Sequence, residues 1–332
     1  MSRRLRHAVA MAVALLALAV PVAVAAFVAT ISNSGNSFQA ASIFPGAIKM
    51  AEGYYTGDAT DNRAIAIGFQ PDFVIVKDAS TREAVARTST MPADRSKPMA
   101  TLTALQADNI QSFDANGFVI GTNNRVNQSG HNYLWVAFRA NSQAMRVGTY
   151  TGNGTGQALS GFGFSPENAI VLGANAQRAV LRFAGGRTYR FDTGTSIANG
   201  VTAMGADGFT VGTAAETNAS TIAYHYVAFN DVANSIDVSS YAGDGADNRN
   251  LNTPGFQPEY TLIRADDNAT GRPATHRTAL LPGDNTLLFS ATAVVTNRIQ
   301  ALQANGFQVG NSGDVNANGV TYYSLSVRSS AP

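Results

Sequence analysis

Arginines recur at Arg87, Arg182 and Arg277, each 95 residues from the last and each in strand-like, mostly apolar surroundings. An arginine so placed either lays its stem along a sheet and pairs its head, or presents its planar fork to a sugar hydroxyl or carboxylate. Aromatic rings recur as well. Tyr133 and Trp135, then Tyr224 and Tyr226, occupy alternate positions of two strand-like segments. On an open sheet face such rings stack against pyranose rings; turned inward, against a second sheet or a neighbouring module, they are core. Two matching acidic turns, Asp58, Asp61 and Asn62 with Asp244, Asp247 and Asn248, offer oxygen ligands of the kind calcium takes. The same residues serve equally as turn caps, with Asp pairing to the adjacent Arg63 or Arg249. The middle copy replaces the run with Asn153-Gly154-Thr155-Gly156, without the charge.

Arrangements that catalyse are scarcer. The histidines are His7, His131, His225 and His276, and no His-Glu-x-x-His, His-x-Glu or paired spacing joins them into a metal site. No Gly-x-Ser-x-Gly marks a nucleophile turn, although a Ser-His-Asp triad can assemble from any chain order. Glycoside hydrolysis needs two carboxylates about 5–10 Å apart across a groove. The acids here are spread over repeated turns instead. The chain contains no cysteine, which excludes disulfides, thiolate metal sites and cysteine nucleophiles. The residues read as non-enzymatic, with a secreted carbohydrate-active hydrolase as the alternative.

What must position these residues is a repeat. Gly68-Phe69-Gln70-Pro71-Asp72 returns as Gly163-Phe164-Ser165-Pro166-Glu167 and as Gly255-Phe256-Gln257-Pro258-Glu259. The steps are 95 and 92 residues, the size of a small domain and longer than a solenoid unit. Each copy opens on an aromatic-x-Gly turn: Tyr55-Thr56-Gly57, Tyr150-Thr151-Gly152 and Tyr241-Ala242-Gly243. Proline at the corner forbids a continued ladder, so a new strand begins after it. The unbroken apolar run 73–76 predicts a strand buried on both faces. Asn116-Gly117, Asp207-Gly208 and Asn305-Gly306 predict hairpins whose two central residues take positive φ. In the closing strands Val136/Phe138, Val227/Phe229 and Leu325/Val327 form one face, read as core, and the tyrosines with Trp135 form the other. Helix is expected at most over residues 101–109 and 296–303.

Composition agrees with a neutral, turn-rich β protein. Charged residues make up 14% of the chain, against about 25% in an average soluble protein. A net charge of +1 supplies no field for nucleic acid. Arg3, Arg4 and Arg6 precede an apolar run that ends near Ala23-Val24-Ala25, the pattern of a secretory signal cleaved after residue 25. An uncleaved membrane anchor is the competing reading, since the run is long enough to span a bilayer. A cysteine-free exported chain fits a bacterial envelope. The expected plan is a signal segment 1–25, a linker 26–50, and modules at 51–140, 145–231 and 236–330. The fold class is all-β: three tandem antiparallel β-sandwich modules, jelly-roll-like, of about 90–95 residues each. Their connections are too short for disordered tethers, so the modules lie like close beads or pack about a pseudo-threefold axis.

The segment after the cleavage point, Ala26-Phe27-Val28-Ala29-Thr30 through Asn36-Ser37-Phe38, resembles the start of exported Gram-positive and actinobacterial proteins with SipW-type signal peptides. The repeated Tyr-x-Gly-(Asp/Asn), Gly-Phe-x-Pro-(Asp/Glu), (Asn/Asp)-Gly-Phe and Tyr-rich Val-Ala-Phe motifs resemble repeats of phage tail-fibre-like and bacterial surface proteins. That resemblance spans residues 53–329 and implies non-catalytic surface or receptor-contact domains, with no catalytic residues to carry over. The expectation is a secreted or cell-surface protein that is adhesive, or binds envelope or host glycans or receptors through weak sites multiplied along one chain. A structural matrix or fibre subunit that self-associates through module edges is a further alternative. No nucleic-acid partner is expected, and no cofactor apart from calcium at the acidic turns.

Overall fold

Pro71, Pro166 and Pro258 are buried, and two residues after each begins a strand that is buried at every position. The computed structural model describes residues 48–268 and 271–329, so the signal segment and most of the expected linker lie outside the described residues. Around the corner strand each copy builds eight strands in one order. The first copy has β1 (Lys49–Thr56), β2 (Arg63–Ala66), β3 (Phe73–Asp78), β4 (Val85–Thr88), β5 (Lys97–Pro98), β6 (Ile110–Asp114), β7 (Gly117–Ile120) and β8 (Asn132–Arg139). The second has β9 (Met145–Thr151), β10 (Gln157–Leu159), β11 (Asn168–Gly173), β12 (Val180–Phe183), β13 (Thr188–Arg190), β14 (Val201–Gly205), β15 (Gly208–Val211) and β16 (Ala223–Phe229). The third has β17 (Ile236–Ala242), β18 (Arg249–Leu251), β19 (Tyr260–Ala265), β20 (Thr275–Thr278), β21 (Leu287–Leu288), β22 (Ile299–Gln303), β23 (Gly306–Val309) and β24 (Thr321–Val327).

Each module is a pair of antiparallel sheets, one of five strands and one of three. In the first the orders are β1-β8-β3-β4-β5 and β2-β7-β6, and the other two repeat them. Side chains alternate across a strand, so each five-stranded sheet has two apolar faces to cover. One face packs on the module's own small sheet: Val74, Val76, Tyr133 and Trp135 meet Ile110, Phe118 and Ile120. The other face enters a core shared by all three modules, to which Phe73, Phe138, Ile170, Phe229, Tyr260 and Leu325 belong. There Phe138 meets Phe229 and Tyr260 edge-on, at 5.7 and 5.8 Å between ring centres.

The three modules form a closed ring. The amide of Ala179 donates to the carbonyl of Met99, that of Ala274 to Phe191, and that of Ala84 to Phe289, at 2.8–3.0 Å. Those alanines stand 95 residues apart, so the same bond recurs from module 1 to 2, 2 to 3 and 3 back to 1. Packing about a common axis is therefore what the short connections produce. Each contact also buries a cation that donates to a carbonyl of the neighbouring module. Lys97 reaches Asn175 at 2.9 Å, Arg264 reaches Gly194 at 3.2 Å, and Lys77 reaches Thr292 at 3.1 Å. Burial lowers both lysines to about 8 and Arg264 to about 10.

Two local expectations are corrected. Residues 101–109 are irregular and 299–303 are strand β22, whereas single helical turns form at α1 (Asn124–Asn127), α2 (Ala215–Asn218) and α3 (Gly313–Asn316). Two stacked tyrosines hold each of these turns. Tyr133 donates to the carbonyl of Asn124 and accepts from the amide of Gln128, while Tyr55 donates to Val126. Tyr224 with Tyr150, and Tyr322 with Tyr241, make the same bonds in the other modules. The small-sheet hairpins turn on Ala115-Asn116, a pair without positive φ, so Gly117 is not there for the turn. A Cβ on Gly117 would lie 2.0 Å from the carbonyl oxygen of Ile65, so glycine is needed because β2 passes so close.

Candidate functional site

The rings proposed as a sugar platform lie inside the sandwiches. Tyr133 and Tyr224 are fully buried and stacked on Tyr55 and Tyr150, at 5.3 and 5.2 Å, with both hydroxyls committed to α1 and α2. Trp135 is 7% exposed, edge-on to Phe118 at 5.7 Å, and Tyr226 lies parallel to Phe162 at 5.1 Å. A ring covered by the second sheet cannot stack on a ligand, so these four residues are corrected to core. The opposite strand explains how they fit. Gly53 pairs with Trp135 and Gly148 with Tyr226, so the ring lies across bare backbone; the third module pairs Ser239 with Ser324, their hydroxyls 3.2 Å apart.

Arg87 and Arg277 are caged. The guanidinium of Arg87 donates to the carbonyls of Met91, Ala93, Arg95 and Ile110; that of Arg277 donates to Leu281, Gly283, Asn285 and Ile299. Both are buried with their Nη donors spent on the loop that follows, so neither presents its fork to a ligand. Arg182 differs. It is half-buried, and its described bond is to the carbonyl of Val201 at 2.8 Å.

The acidic turns are occupied by their own neighbours. Asp58 accepts the amide of Thr60 and lies 3.3 Å from Arg63, while Asp61 accepts from Asn62 and Gln111. Asp244 accepts the amide of Ala246 and the amide side chain of Asn316 and lies 3.2 Å from Arg249; Asp247 accepts from Asn248 and Gln300. Amide donors and the arginines hold the Asp58 and Asp244 carboxyls below the usual carboxylate range. Asn62 and Asn248 take the positive φ of the turn. Oxygens already facing N–H donors and guanidinium groups are poorly placed for calcium, and among the described residues no group of three or more His, Asp or Glu is arranged to hold a metal.

One Ser-His-Asp cluster does form, at Ser80, His131 and Asp78. Ser80 Oγ lies 3.2 Å and Asp78 Oδ2 3.1 Å from the same ring nitrogen, Nδ1 of His131, and Ser80 Oγ lies 2.9 Å from Asp78. A triad needs the acid and the nucleophile on opposite nitrogens, so that the base takes a proton from one side while held from the other. Here the carboxylate anchors the loop after β3. His225 and His276 lie buried at module contacts, lowered by burial to about 4 and about 3 and therefore neutral, with Thr90 2.8 Å from His225 Nδ1. Glu52 is pushed up to about 7, first by burial and further by the charge of Glu259, with hydrogen bonds from Thr278, Ala279 and Leu280 opposing.

Three sets of residues escaped the sequence reading. The tyrosine clamps and the buried Asn127, Asn218 and Asn316, which tie each helical turn to the aromatic-x-Gly turn, look like ordinary turn residues in sequence. The buried cations had a signal, a lysine or arginine ending an apolar strand run at Lys77 and Arg264. The exposure of Arg182 had one too: ten residues separate Arg87 from Lys97 and Arg277 from Leu287, but seven separate Arg182 from its counterpart Tyr189.

A domain of unknown function (DUF7483) matches residues 49–145, the span from the start of β1 to the start of β9. The first module is similar to that domain. No curated protein and no solved structure matches the chain.

Proposed function

We propose that the chain is an exported, non-enzymatic cell-surface protein whose three modules form one rigid recognition head, adhesive toward glycans or a receptor. The observation that carries this reading is the fate of the repeated side chains. The rings fill the sandwiches, Arg87 and Arg277 hold their own loops, the turn acids pair with Arg63 and Arg249, and the histidine cluster has the wrong geometry for a triad. Residues common to the modules are spent on architecture. Recognition is left to surface segments in which the modules differ, so the head acts through module-specific loops and not through three identical sites. The test is binding of the purified chain to a broad array of glycans and cell-wall polysaccharides, with release of reducing sugar measured alongside. Saturable binding without turnover is expected. Turnover would support the hydrolase reading, and silence from folded protein would favour a structural matrix subunit.

A further inference from the structure

The geometry points to an oxyanion-binding pocket in the second module, built on Arg182 and Arg187, that takes the acid group of an acidic saccharide. The inference rests on reading the head as a recognition protein and names where and what it binds. Modules 1 and 3 bury the equivalent arginine under the loops Met91-Pro92-Ala93-Asp94 and Leu281-Pro282-Gly283-Asp284, whose carbonyls take its donors. In module 2 a short turn through Gly185-Gly186 joins β12 to β13, and the covering loop is missing. Arg182 keeps its bond to Val201, the counterpart of Ile110 and Ile299, and has no loop carbonyls on its remaining nitrogens. Its Nε is buried with no hydrogen-bond partner, as are those of Arg87 and Arg277, so the difference lies in the Nη donors.

Beside Arg182 is an opening of about 270 Å³. Its polar lining is Arg182, Arg187, Thr188, Ser196, Asn199 and Thr202, with no carboxylate among the lining residues. Asp266 of module 3 lies 3.1 Å from Arg187 Nη1 and also accepts from Tyr189, so it holds one side of Arg187 and leaves further donors on the fork. Asn199 occupies the position of Asp108 and Asn297. Those side chains accept from Thr122 and Asn311, whereas Asn199 makes no side-chain bond to a described residue. Two guanidinium groups and a spare amide around one opening form a donor set for a carboxylate, sulfate or phosphate. The opening falls below the ~300–1,000 Å³ typical of ligand pockets, which suits one charged group on a single sugar residue.

The experiment is calorimetric titration of the purified chain with glucuronate, sulfate and phosphate, using glucose as the neutral control. Saturable, salt-sensitive binding of at least one anion and none of glucose is expected, and the three arms identify which oxyanion the pocket prefers. Thr202→Asp places a carboxylate in the lining at an exposed position, and Arg187→Gln removes an exposed guanidinium; each should weaken binding by roughly tenfold or more, as charge-assisted contacts imply. Arg87→Gln, in the caged module, should leave affinity unchanged in whatever fraction folds. Absence of binding by all three anions, or unchanged affinity in both Thr202→Asp and Arg187→Gln, overturns the pocket. The two readings fail separately: array binding that survives Thr202→Asp defeats the pocket alone, and anion binding beside a silent array defeats the recognition head alone.

Discussion

Replacing Gly53 by alanine should destabilise the protein through one ring. The backbone of Gly53 is not left-handed, so alanine is sterically allowed there and would by itself gain about 0.4–1 kcal/mol by restricting the unfolded chain. The new Cβ, however, would stand 2.3 Å from Cζ2, 2.6 Å from Cε2 and 2.9 Å from Nε1 of Trp135, where unstrained carbon contacts are about 3.5–4.0 Å. The indole cannot tilt away freely, since it is buried with Phe118 set edge-on beside it. Overpacking of this kind costs about 1–3 kcal/mol, and three overlaps with one rigid ring place Gly53→Ala at the upper end, beyond the entropic gain. Trp135→Ser removes the ring at a cost of about 3–5 kcal/mol. In the double variant Gly53→Ala with Trp135→Ser the steric cost disappears, because the third module already packs two small side chains, Ser239 and Ser324, at this pair. The coupling in this cycle should be about 2 kcal/mol, favouring the double variant over the sum of the singles. Urea unfolding followed by far-UV circular dichroism measures it, since Trp135 is the one tryptophan and its fluorescence is lost with it. Additivity within about 0.5 kcal/mol would refute the argument.

The carbonyl cage predicts that Arg87→Met costs about 2–4 kcal/mol, by stranding several loop carbonyls, while Arg182→Met costs about 1 kcal/mol; equal losses in urea unfolding would contradict it. Acid should weaken the fold through His225 and His276. Their folded-state values lie below the unfolded value of about 6.5, so the unfolded chain binds more protons, and stability present above that value is lost as pH falls toward about 4 and about 3. For His225 alone this is on the order of 3 kcal/mol, and a denaturation midpoint that is flat or rising from pH 6.5 to 4 in the Glu52→Gln background would oppose it. That background is needed because Glu52, raised to about 7, acts with the opposite sign and loses its contribution as pH rises through the same range. Leu172→Lys should open the ring by adding a second ammonium to the contact that already buries Lys97, whereas Leu172→Met should cost less than about 1.5 kcal/mol. Residues 48–140 alone should show no cooperative transition, because Phe73, Ile75, Val136 and Phe138 would lose the shared core; a sharp calorimetric peak from that fragment would show that the module stands by itself.

The corner, the closing strands and the two-sheet modules were legible because proline and a period of two act locally. Pro71 must end a ladder, and Val136 and Phe138 must share a face, whatever surrounds them. What covers a face is not local. The alternation that put Tyr133 and Trp135 on one side could not show that β6 and β7 lie over it; the register of β1 on β8, with Gly53 opposite Trp135, settles that. The same limit hid the buried lysine, since the carbonyl that accepts from Lys77 at the module contact lies 215 residues away. Arg182 is the instructive case. Its side chain type and spacing match those of Arg87 and Arg277, and the difference lies wholly in a three-residue shortening of the loop that would have covered it.

The order of the ring follows from the same kind of non-local chemistry. Equivalent positions on the central strand hold Lys77, Leu172 and Arg264, and equivalent positions on the edge strand hold Lys97, Tyr189 and Leu287. As closed, the edge of each module meets the central strand of the next: Lys97 donates to Asn175, three residues past Leu172; Tyr189 faces Arg264, whose guanidinium lies 4.5 Å from the ring centre; and Leu287 packs with Leu134, the strand partner of Lys77. At these six positions every contact thus buries one cation, and that cation finds neighbouring carbonyls or an aromatic face. Reversing the order would bring the edge of module 1 to the centre of module 3 and set Lys97 against Arg264. Following module 1 with a second module 1 would set Lys97 against Lys77. Either arrangement buries two like charges in one contact, a far larger penalty than any one hydrogen bond returns. The modules share one architecture but are not interchangeable, and their small differences at these six positions favour closure of the chain upon itself in a single order.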